Sequence, residues 1–168
     1  MAFQLEQFRD PDLEISGDGV IGFYSREFWP FDQFAAIQID YLGRRMPTGE
    51  HAYHYTKFVD EHPDIAEEVF MARSPHDALH IAHAPANLDF IRADWDDIKV
   101  GVMHTICRLK LEQDPYVERK LRQTGNFLIV EDSPDKFWGR GPGPKHNGRN
   151  ELGKIWMDLR TQLPEVED

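Results

Sequence analysis

Signals for the start of a helix recur along the chain and divide it into segments of helical length. Six such segments open with a proline or a capping residue, at Pro47-Thr48, Pro63, Ser74-Pro75, Asp94, Asp114-Pro115 and Asn150. Ser, Thr, Asp and Asn accept hydrogen bonds from the free N–H groups of a first helical turn, and proline fits that turn because it has no N–H group to leave unpaired. The pattern therefore predicts a mainly α-helical chain.

Apolar spacing supports these helices and adds a few strands. After Asp94, apolar residues recur every three or four positions, at Trp95, Ile98, Val102, Ile106 and Leu109. This is the spacing of one helix face. Short apolar runs near glycine predict strands over residues 20–24, 36–41 and 127–130. We therefore expect an α+β fold that is mainly helical and has a few short strands.

The length of the chain favours a single domain. Its 168 residues contain no repeat or low-complexity block, and one cysteine excludes an internal disulfide framework. We expect a polar N-terminal segment over residues 1–15, one domain over residues 16–164 and an acidic tail over residues 165–168. The N-terminal region has no apolar stretch typical of a signal peptide. A cytoplasmic protein without membrane association is the expectation.

Charge limits the class of partner. The formal net charge is -11, from 30 acidic and 19 basic residues, so a general attraction for nucleic acid is absent. A Gly/Pro-rich stretch over residues 131–150 is the exception to this acidic balance. From Lys136 to Lys154 the chain is locally basic, with Glu151 as the single acid. Glycine backbone and a following helix N-terminus suit phosphate binding. The alternative is a plain surface connection.

A polar helix is predicted over residues 46–58. Glu50, His54 and Lys57 stand at i, i+4 and i+7, which places them on one helix face. The helical rise puts Glu50 and Lys57 about 10 Å apart along the axis, too far for an easy direct ion pair. The two groups can still hold one small ligand from two sides. The alternative is a face that is solvated and has no function.

These features occur together with ordered motifs that identify a family. The motifs are Phe23-Tyr24, Phe28-Trp29-Pro30-Phe31, Pro47-Thr48, Glu50-His51, Lys57-Phe58, Ser74-Pro75, Arg92, Asp94-Trp95, Glu131, Asp135, Trp138-Gly139, Gly141, Gly148, Asn150, Leu152-Gly153 and Arg160. In this order they resemble the NADAR (YbiA-like) family of N-glycosidases, from about Phe23 to Arg160. The resemblance implies a single-domain, YbiA-like helical fold and hydrolysis of a ribose C1′–N bond. It implies neither a metal nor a cofactor.

The resemblance also implies the class of substrate and the site residues. The substrate would be an ADP-ribosyl or ribosylamine nucleotide, such as ADP-ribosyl-guanine or an early riboflavin-pathway ribosylaminopyrimidine phosphate. The catalytic residues would be Glu50 as acid/base, Lys57 as a Schiff-base nucleophile and Asp135, for which a turn residue is the alternative. We also expect substrate contacts from Phe23, Trp29, His51, Trp95, Trp138, Gly139, Gly148 and Asn150, and from His54 and Arg140, at which this chain departs from the family.

Departures from the family pattern bear on the ligand. Family members commonly have Gln at His54 and an acid at Arg140. Since Arg140 adds a fork-shaped phosphate donor, we expect a more phosphorylated or larger anionic ligand, and a modified guanine in a short single-stranded nucleic acid is one such partner. A non-catalytic module that binds ADP-ribose or NAD is the alternative function.

Three histidines also have helical spacing. His76, His80 and His83 lie at i, i+4 and i+7 of one predicted helix. Zinc uses such spacing when a cysteine or carboxylate completes the site, and none completes it in this segment. We therefore expect a surface cluster of histidines and no metal.

Overall fold

The computed structural model describes residues 19–23 and 27–165. The predicted N-terminal segment, residues 1–15, lies outside these residues, as do Tyr24 and residues 166–168 of the predicted tail. The described strands are β1 (Val20–Phe23), β2 (Ile39–Tyr41), β3 (Arg44–Met46) and β4 (Leu128–Glu131). The described helices are α1 (Gly49–Thr56), α2 (Pro63–Phe70), α3 (Pro75–Ala82), α4 (Trp95–Gln113), α5 (Pro115–Gln123) and α6 (Glu151–Thr161). The prediction of a mainly helical α+β fold is confirmed.

The chain forms two compact units. Of the described residues, those from Gln33 to Asp114 form a central unit, and those up to Asp32 together with those from Pro115 onward form a terminal unit. The assignment of residues 16–164 to one domain stays a prediction. Within the described ranges, none of the helices is both long and apolar enough to cross a bilayer.

The terminal unit is built on a two-stranded parallel sheet. Strands β1 and β4 pair with Ile21 opposite Ile129, and both side chains are buried. Helix α6 packs on β4, and its Trp156 indole N–H donates to the carbonyl oxygen of Phe31 at 3.0 Å. The strand predicted over 127–130 begins and ends one residue later in the structure. Phe127 lies before β4 and is 40% exposed.

The central unit packs its helices around α1. Helices α2, α3 and α4 all contact α1, and the β2–β3 hairpin buries Ile39 and Met46. The predicted apolar face of α4 is partly wrong. Ile98, Val102 and Leu109 are only half-buried, whereas the residues of α4 that are fully buried are Trp95, Met103, Ile106, Cys107 and Lys110. The buried face is therefore rotated relative to the most apolar one.

Local capping explains why α1 and α3 begin where the sequence predicts. The Thr48 hydroxyl accepts a hydrogen bond from the backbone N–H of His51 at 3.2 Å, and the Ser74 hydroxyl accepts one from Asp77 at 3.1 Å. Asn150 precedes α6 but makes no side-chain cap, since its backbone is left-handed with a φ of 51°. The amide of Asn150 instead holds β4. Its oxygen accepts from the N–H of Glu131, and its nitrogen donates to the Ile129 carbonyl, each at 2.9 Å.

Candidate functional site

The polar helix α1 is buried along its whole length. All eight of its residues are buried, and the exposed fractions of Glu50, His54 and Lys57 are 8%, 2% and 4%. The interpretation of this face as solvated is therefore wrong. Burial of charged and polar groups costs free energy unless other groups stabilise them, so a helix of this composition in a protein interior indicates function rather than packing.

The first turn of α1 is held on three sides. The backbone N–H of Glu50 donates to the carbonyl oxygen of Gln33 at 3.0 Å. A Cβ atom at Gly49 would lie 2.0 Å from the Gln33 side-chain oxygen, so glycine permits this close approach. The ring nitrogens of His51 contact the Thr48 hydroxyl at 2.8 Å and the Ala72 carbonyl at 3.1 Å. Since both nitrogens are engaged, His51 supports the position of Glu50.

Glu50 and His54 form a buried hydrogen-bonded pair. Glu50 Oε1 and His54 Nε2 are 2.7 Å apart. Burial raises the pKa of Glu50 to about 7, and the positive charge of Lys57 is the main opposing influence. Burial also moves the pKa of His54 well below its ordinary value. The pair therefore joins a carboxyl group that titrates near neutral pH to an imidazole that stays neutral.

One ring nitrogen of this pair has no protein partner among residues 19–23 and 27–165. His54 Nδ1 is buried and makes no hydrogen bond to any of them. A buried nitrogen of this kind is costly in a folded protein. It is therefore a candidate contact for a bound substrate.

Lys57 lies immediately after α1 in an environment of rings. Its Nζ is 3.3 Å from His83 Nε2, and it lies 5.3 Å from the ring centroid of Tyr53 and 5.4 Å from that of Trp95. Burial lowers the pKa of Lys57 to about 8, whereas the Glu50 carboxylate opposes this shift. A substantial fraction of the amine is therefore neutral at mildly alkaline pH, which is the state that attacks an electrophile.

Glu50 and Lys57 act on each other without direct contact. Across the part of the chain that the structure describes, no ion pair within 4 Å joins them, in agreement with their predicted separation. Their charges nevertheless enter each other's pKa. A chain of contacts through two imidazoles links these groups, since His54 contacts Glu50, His83 contacts Lys57, and the rings of His54 and His83 meet edge to face at 5.3 Å. The resulting order is carboxyl, imidazole, imidazole, amine.

His83 and Tyr53 are site residues that sequence reasoning missed. The helical spacing of His76, His80 and His83 was the available signal for His83, but the three side chains have different surroundings. His76 packs on Phe34 with ring centroids 4.8 Å apart, His83 contacts Lys57 and His54, and all three histidines are exposed. The three histidines therefore lie at the surface, as predicted, although their side chains have different neighbours. Within the described ranges, no group of three or more His, Cys, Asp or Glu residues is arranged to hold a metal ion.

The predicted site residues are divided between the two units. The central unit contains Glu50, His51, His54, Lys57 and Trp95. The terminal unit contains Phe23, Trp29, Asp135, Trp138, Gly139, Arg140, Gly148 and Asn150. Phe23 and Asn150 are fully buried, where Phe23 packs edge to face on Phe31 and Asn150 holds β4. Both side chains therefore stabilise the terminal unit, and their predicted contacts with substrate stay predictions.

The irregular loop of the terminal unit begins after β4 and ends at α6, as predicted. Its carboxylate Asp135 is exposed and accepts backbone N–H groups of Phe137 at 2.7 Å and Trp138 at 2.6 Å. This is the geometry of the turn that was the alternative for Asp135. Gly148 is buried, and a Cβ atom there would lie 2.2 Å from the carbonyl oxygen of Gly139. Both glycines let the loop pack on itself.

Three basic residues of this loop and of the start of α6 are paired with acids. Arg140 forms an ion pair with Asp132. Arg149 and Lys154 both pair with Glu151, at 2.9 Å and 3.2 Å. Glu151, the single acid of this basic stretch, therefore forms ion pairs with two of its basic residues. Among the aromatic residues, Trp29 lies 6.0 Å from Tyr116, and Trp138 is half-buried with its ring edge on Phe137.

Comparison with known proteins gives concordant similarities. The family model of the NADAR domain matches residues 22–164. The chain is 34% identical over 152 residues to the N-glycosidase YbiA of Escherichia coli, covering 89% of this chain and 91% of that protein. It is 32% identical over 170 residues to the maize protein named Riboflavin biosynthesis protein PYRR, chloroplastic, covering 92% of this chain and 27% of that protein. The chain thus spans about a quarter of the maize protein.

A solved structure is also similar. The NMR structure of the E. coli protein YbiA matches with a TM-score of 0.75 and 32% sequence identity, covering 90% of this chain and 88% of that one. The similarity therefore extends to the fold and covers both compact units.

Proposed function

Because the chain belongs to the NADAR family, we propose that it hydrolyses the C1′–N bond of an ADP-ribosyl or ribosylamine nucleotide. The family membership confirms the resemblance found in the sequence, and the similarity to YbiA over most of both chains confirms an enzyme of the N-glycosidase class. One observation carries the proposal for the site. Helix α1 and the residue after it bury a carboxyl and an amine whose pKa values both lie near neutrality, at about 7 and about 8.

Glu50 is the proposed proton donor and acceptor. Cleavage of a C1′–N bond leaves an electron pair on the departing nitrogen, which needs a proton, and positive charge develops at C1′. A carboxyl with a pKa of about 7 is half protonated at neutral pH, so it can donate that proton and later accept one from water. In its ionised form Glu50 also stabilises the charge at C1′. His54 orients it through the 2.7 Å hydrogen bond.

Lys57 is the proposed nucleophile. Its neutral amine forms a bond to C1′ while the C1′–N bond breaks, and the departing nitrogen takes its proton from Glu50. A proton then moves from Nζ to the ring oxygen O4′ as the C1′–O4′ bond opens, which leaves a protonated Schiff base. Water adds to C1′ with loss of a proton to Glu50, and release of the amine returns the aldose.

Substrate contacts are proposed for residues that lie next to these two groups. His54 offers its buried Nδ1, which has no partner among residues 19–23 and 27–165. Trp95 packs edge to face on Tyr53 with ring centroids 4.8 Å apart, beside the Lys57 amine. A base or pyrimidine ring is the class of ligand that such aromatic surroundings favour. In the terminal unit, Asp135 is still proposed as a catalytic residue, and Trp138 and Arg140 are still proposed as substrate contacts.

The decisive experiment offers the protein three substrates and separates the products by mass. These are ADP-ribosylated guanosine, the same modified guanine in a short single-stranded oligonucleotide, and a ribosylaminopyrimidine phosphate. Release of the free base or pyrimidine from any of them supports the proposal. Binding without any product instead supports a non-catalytic ADP-ribose or NAD-binding module.

Borohydride tests the covalent step. Reduction during turnover converts a Schiff base into a stable adduct, which we expect on the peptide that contains Lys57. Lys57→Arg keeps the charge but not the nucleophile, so labelling and turnover should both be lost. If no lysine is labelled while turnover proceeds, Lys57 is not the nucleophile and water attacks C1′ directly.

A further inference from the structure

We infer that His83 is a positioning residue for Lys57, because it provides the hydrogen-bond acceptor that orients the buried amine. The inference adds a residue outside the predicted site. Its kinetic consequence rests on the proposed function, whereas the contact itself does not. His83 directly follows α3, and its Nε2 lies 3.3 Å from Lys57 Nζ.

The surroundings of Lys57 single out this contact. Among residues 19–23 and 27–165, His83 is the only hydrogen-bonding partner of Nζ, and the other close groups are the faces of Tyr53 and Trp95. Ring faces attract an ammonium group but impose little direction on its N–H bonds. A ring nitrogen at 3.3 Å does impose direction. The position from which the amine lone pair attacks C1′ therefore depends on His83.

The fold keeps His83 in the state that accepts a hydrogen bond. Its backbone N–H donates to the Leu79 carbonyl at 3.0 Å, which anchors the residue at the end of α3. Four titratable groups influence its pKa electrostatically: Lys57, His54, Glu50 and His80. Burial and the positive charge of Lys57 lower the pKa of His83 from its ordinary value. At neutral pH its ring is therefore mainly uncharged and retains a lone pair.

The contact with His54 supports the same role. The rings of His54 and His83 meet edge to face at 81° with centroids 5.3 Å apart. His54 is in turn hydrogen-bonded to the Glu50 carboxyl. Through these contacts, His83 holds the amine at a defined position relative to the carboxyl. Misplacement by about 1 Å is enough to slow a reaction by two orders of magnitude.

A titration of the histidines by NMR tests the contact without any substrate. We expect Lys57→Met to raise the pKa of His83, because the repulsion by the ammonium is removed. An unchanged titration of His83 in this variant would overturn the inference, whether or not the protein is an N-glycosidase.

Kinetics test the positioning role. His83→Leu removes the acceptor, and we expect kcat to fall at least about tenfold with a small change in KM. His83→Gln places an amide oxygen at similar reach and should recover most of kcat. The matched control is His80→Leu, an exposed histidine one turn earlier on α3. Equal kcat values for His83→Leu and His80→Leu, or no rescue by His83→Gln, would count against the inference. Failure of the proposed function would instead appear as absence of turnover in the unmodified protein.

Discussion

Glu50 and His54 share a hydrogen bond of 2.7 Å on successive turns of a buried helix. The pKa of the carboxyl is raised to about 7 and that of the imidazole is lowered, both mainly by burial. Near neutral pH the imidazole is thus uncharged, and the carboxyl exists in both protonation states. An enzyme that must give a proton to one atom and take one from another requires a group of this kind.

Replacement of the carboxyl by its amide tests that role directly. Glu50→Gln retains size and hydrogen-bonding capacity towards His54 but cannot exchange a proton. We expect kcat to fall by about 10²- to 10⁴-fold, the range typical of a lost general acid or base. Steady-state release of the base measures it. Glu68→Gln, an exposed glutamate on α2, is the control and should retain full activity. A Glu50→Gln variant with ordinary kcat would place the proton transfers elsewhere.

The dependence of turnover on pH follows from the two shifted groups. The proposed reactive form has a protonated Glu50 and a neutral Lys57. The amine of Lys57 gains a proton as the pH falls below about 8, and the carboxyl of Glu50 loses its proton as the pH rises above about 7. A plot of kcat/KM against pH should therefore be bell-shaped, with its maximum between about 7 and 8. A rate that keeps rising up to pH 10 would mean that no protonated carboxyl is needed.

The contribution of Glu50 to the free energy of unfolding should change with pH in the opposite sense to that of a carboxylate whose pKa is lowered by folding. In the folded protein the pKa of Glu50 lies above its ordinary value of 4.5, so the folded state binds more protons between 4.5 and about 7. The contribution of this group is fully present below pH 4.5 and is lost as pH rises through about 7. Above pH 7, the buried charge costs on the order of 3 kcal/mol.

Glu50→Gln removes that cost, which makes the effect measurable. The free energy of unfolding in urea should be higher for this variant than for the parent at pH 8, by on the order of 3 kcal/mol. At pH 5 the difference should be much smaller. Glu68→Gln should show the same difference from the parent at both pH values. A Glu50→Gln effect that is equal at pH 5 and pH 8 would show that the carboxyl is not desolvated.

The glycines of the terminal loop give a test of structure rather than chemistry. A Cβ atom at Gly148 would lie 2.2 Å from the carbonyl oxygen of Gly139 and 2.4 Å from the carbonyl carbon of Arg140. Since both are backbone atoms, relief requires the loop to move. We expect Gly148→Ala to lower the free energy of unfolding by about 2–4 kcal/mol.

The matched control for this prediction is Gly101→Ala. Gly101 is exposed within α4, and no atom lies within 4 Å of a Cβ placed there. Alanine at this position should raise the free energy of unfolding by about 0.5–1 kcal/mol, because glycine is a poor helix former. If both variants have the same stability as the parent, the loop is not closely packed at Gly148.

Helix starts were predictable because capping is a local interaction. The side chains of Thr48 and Ser74 accept hydrogen bonds from residues three positions later, and such contacts can be read from spacing alone. Strand limits and helix faces were less predictable. Phe127 falls outside β4, and α4 buries Lys110 where the apolar pattern favoured Leu109. Neighbouring elements decide those outcomes.

The candidate site shows the same division. Spacing predicted that Glu50, His54 and Lys57 share a face of one helix, and the family motifs marked the first and third of them. Their burial is a property of the packing of α2, α3 and α4 around α1, which shifts the pKa values and makes the chemistry available.

By itself, the amino-acid order determined where helices begin and which polar groups lie four or seven residues apart, since these depend on contacts within one or two turns. Only the tertiary structure decided which of those groups leave water and what they meet there. Lys57 and His83 are 26 residues apart, and no local rule brings them together. Their contact exists because the end of α3 packs beside the end of α1. The packing of these helices buries the Lys57 amine, although an amine by itself prefers solvent.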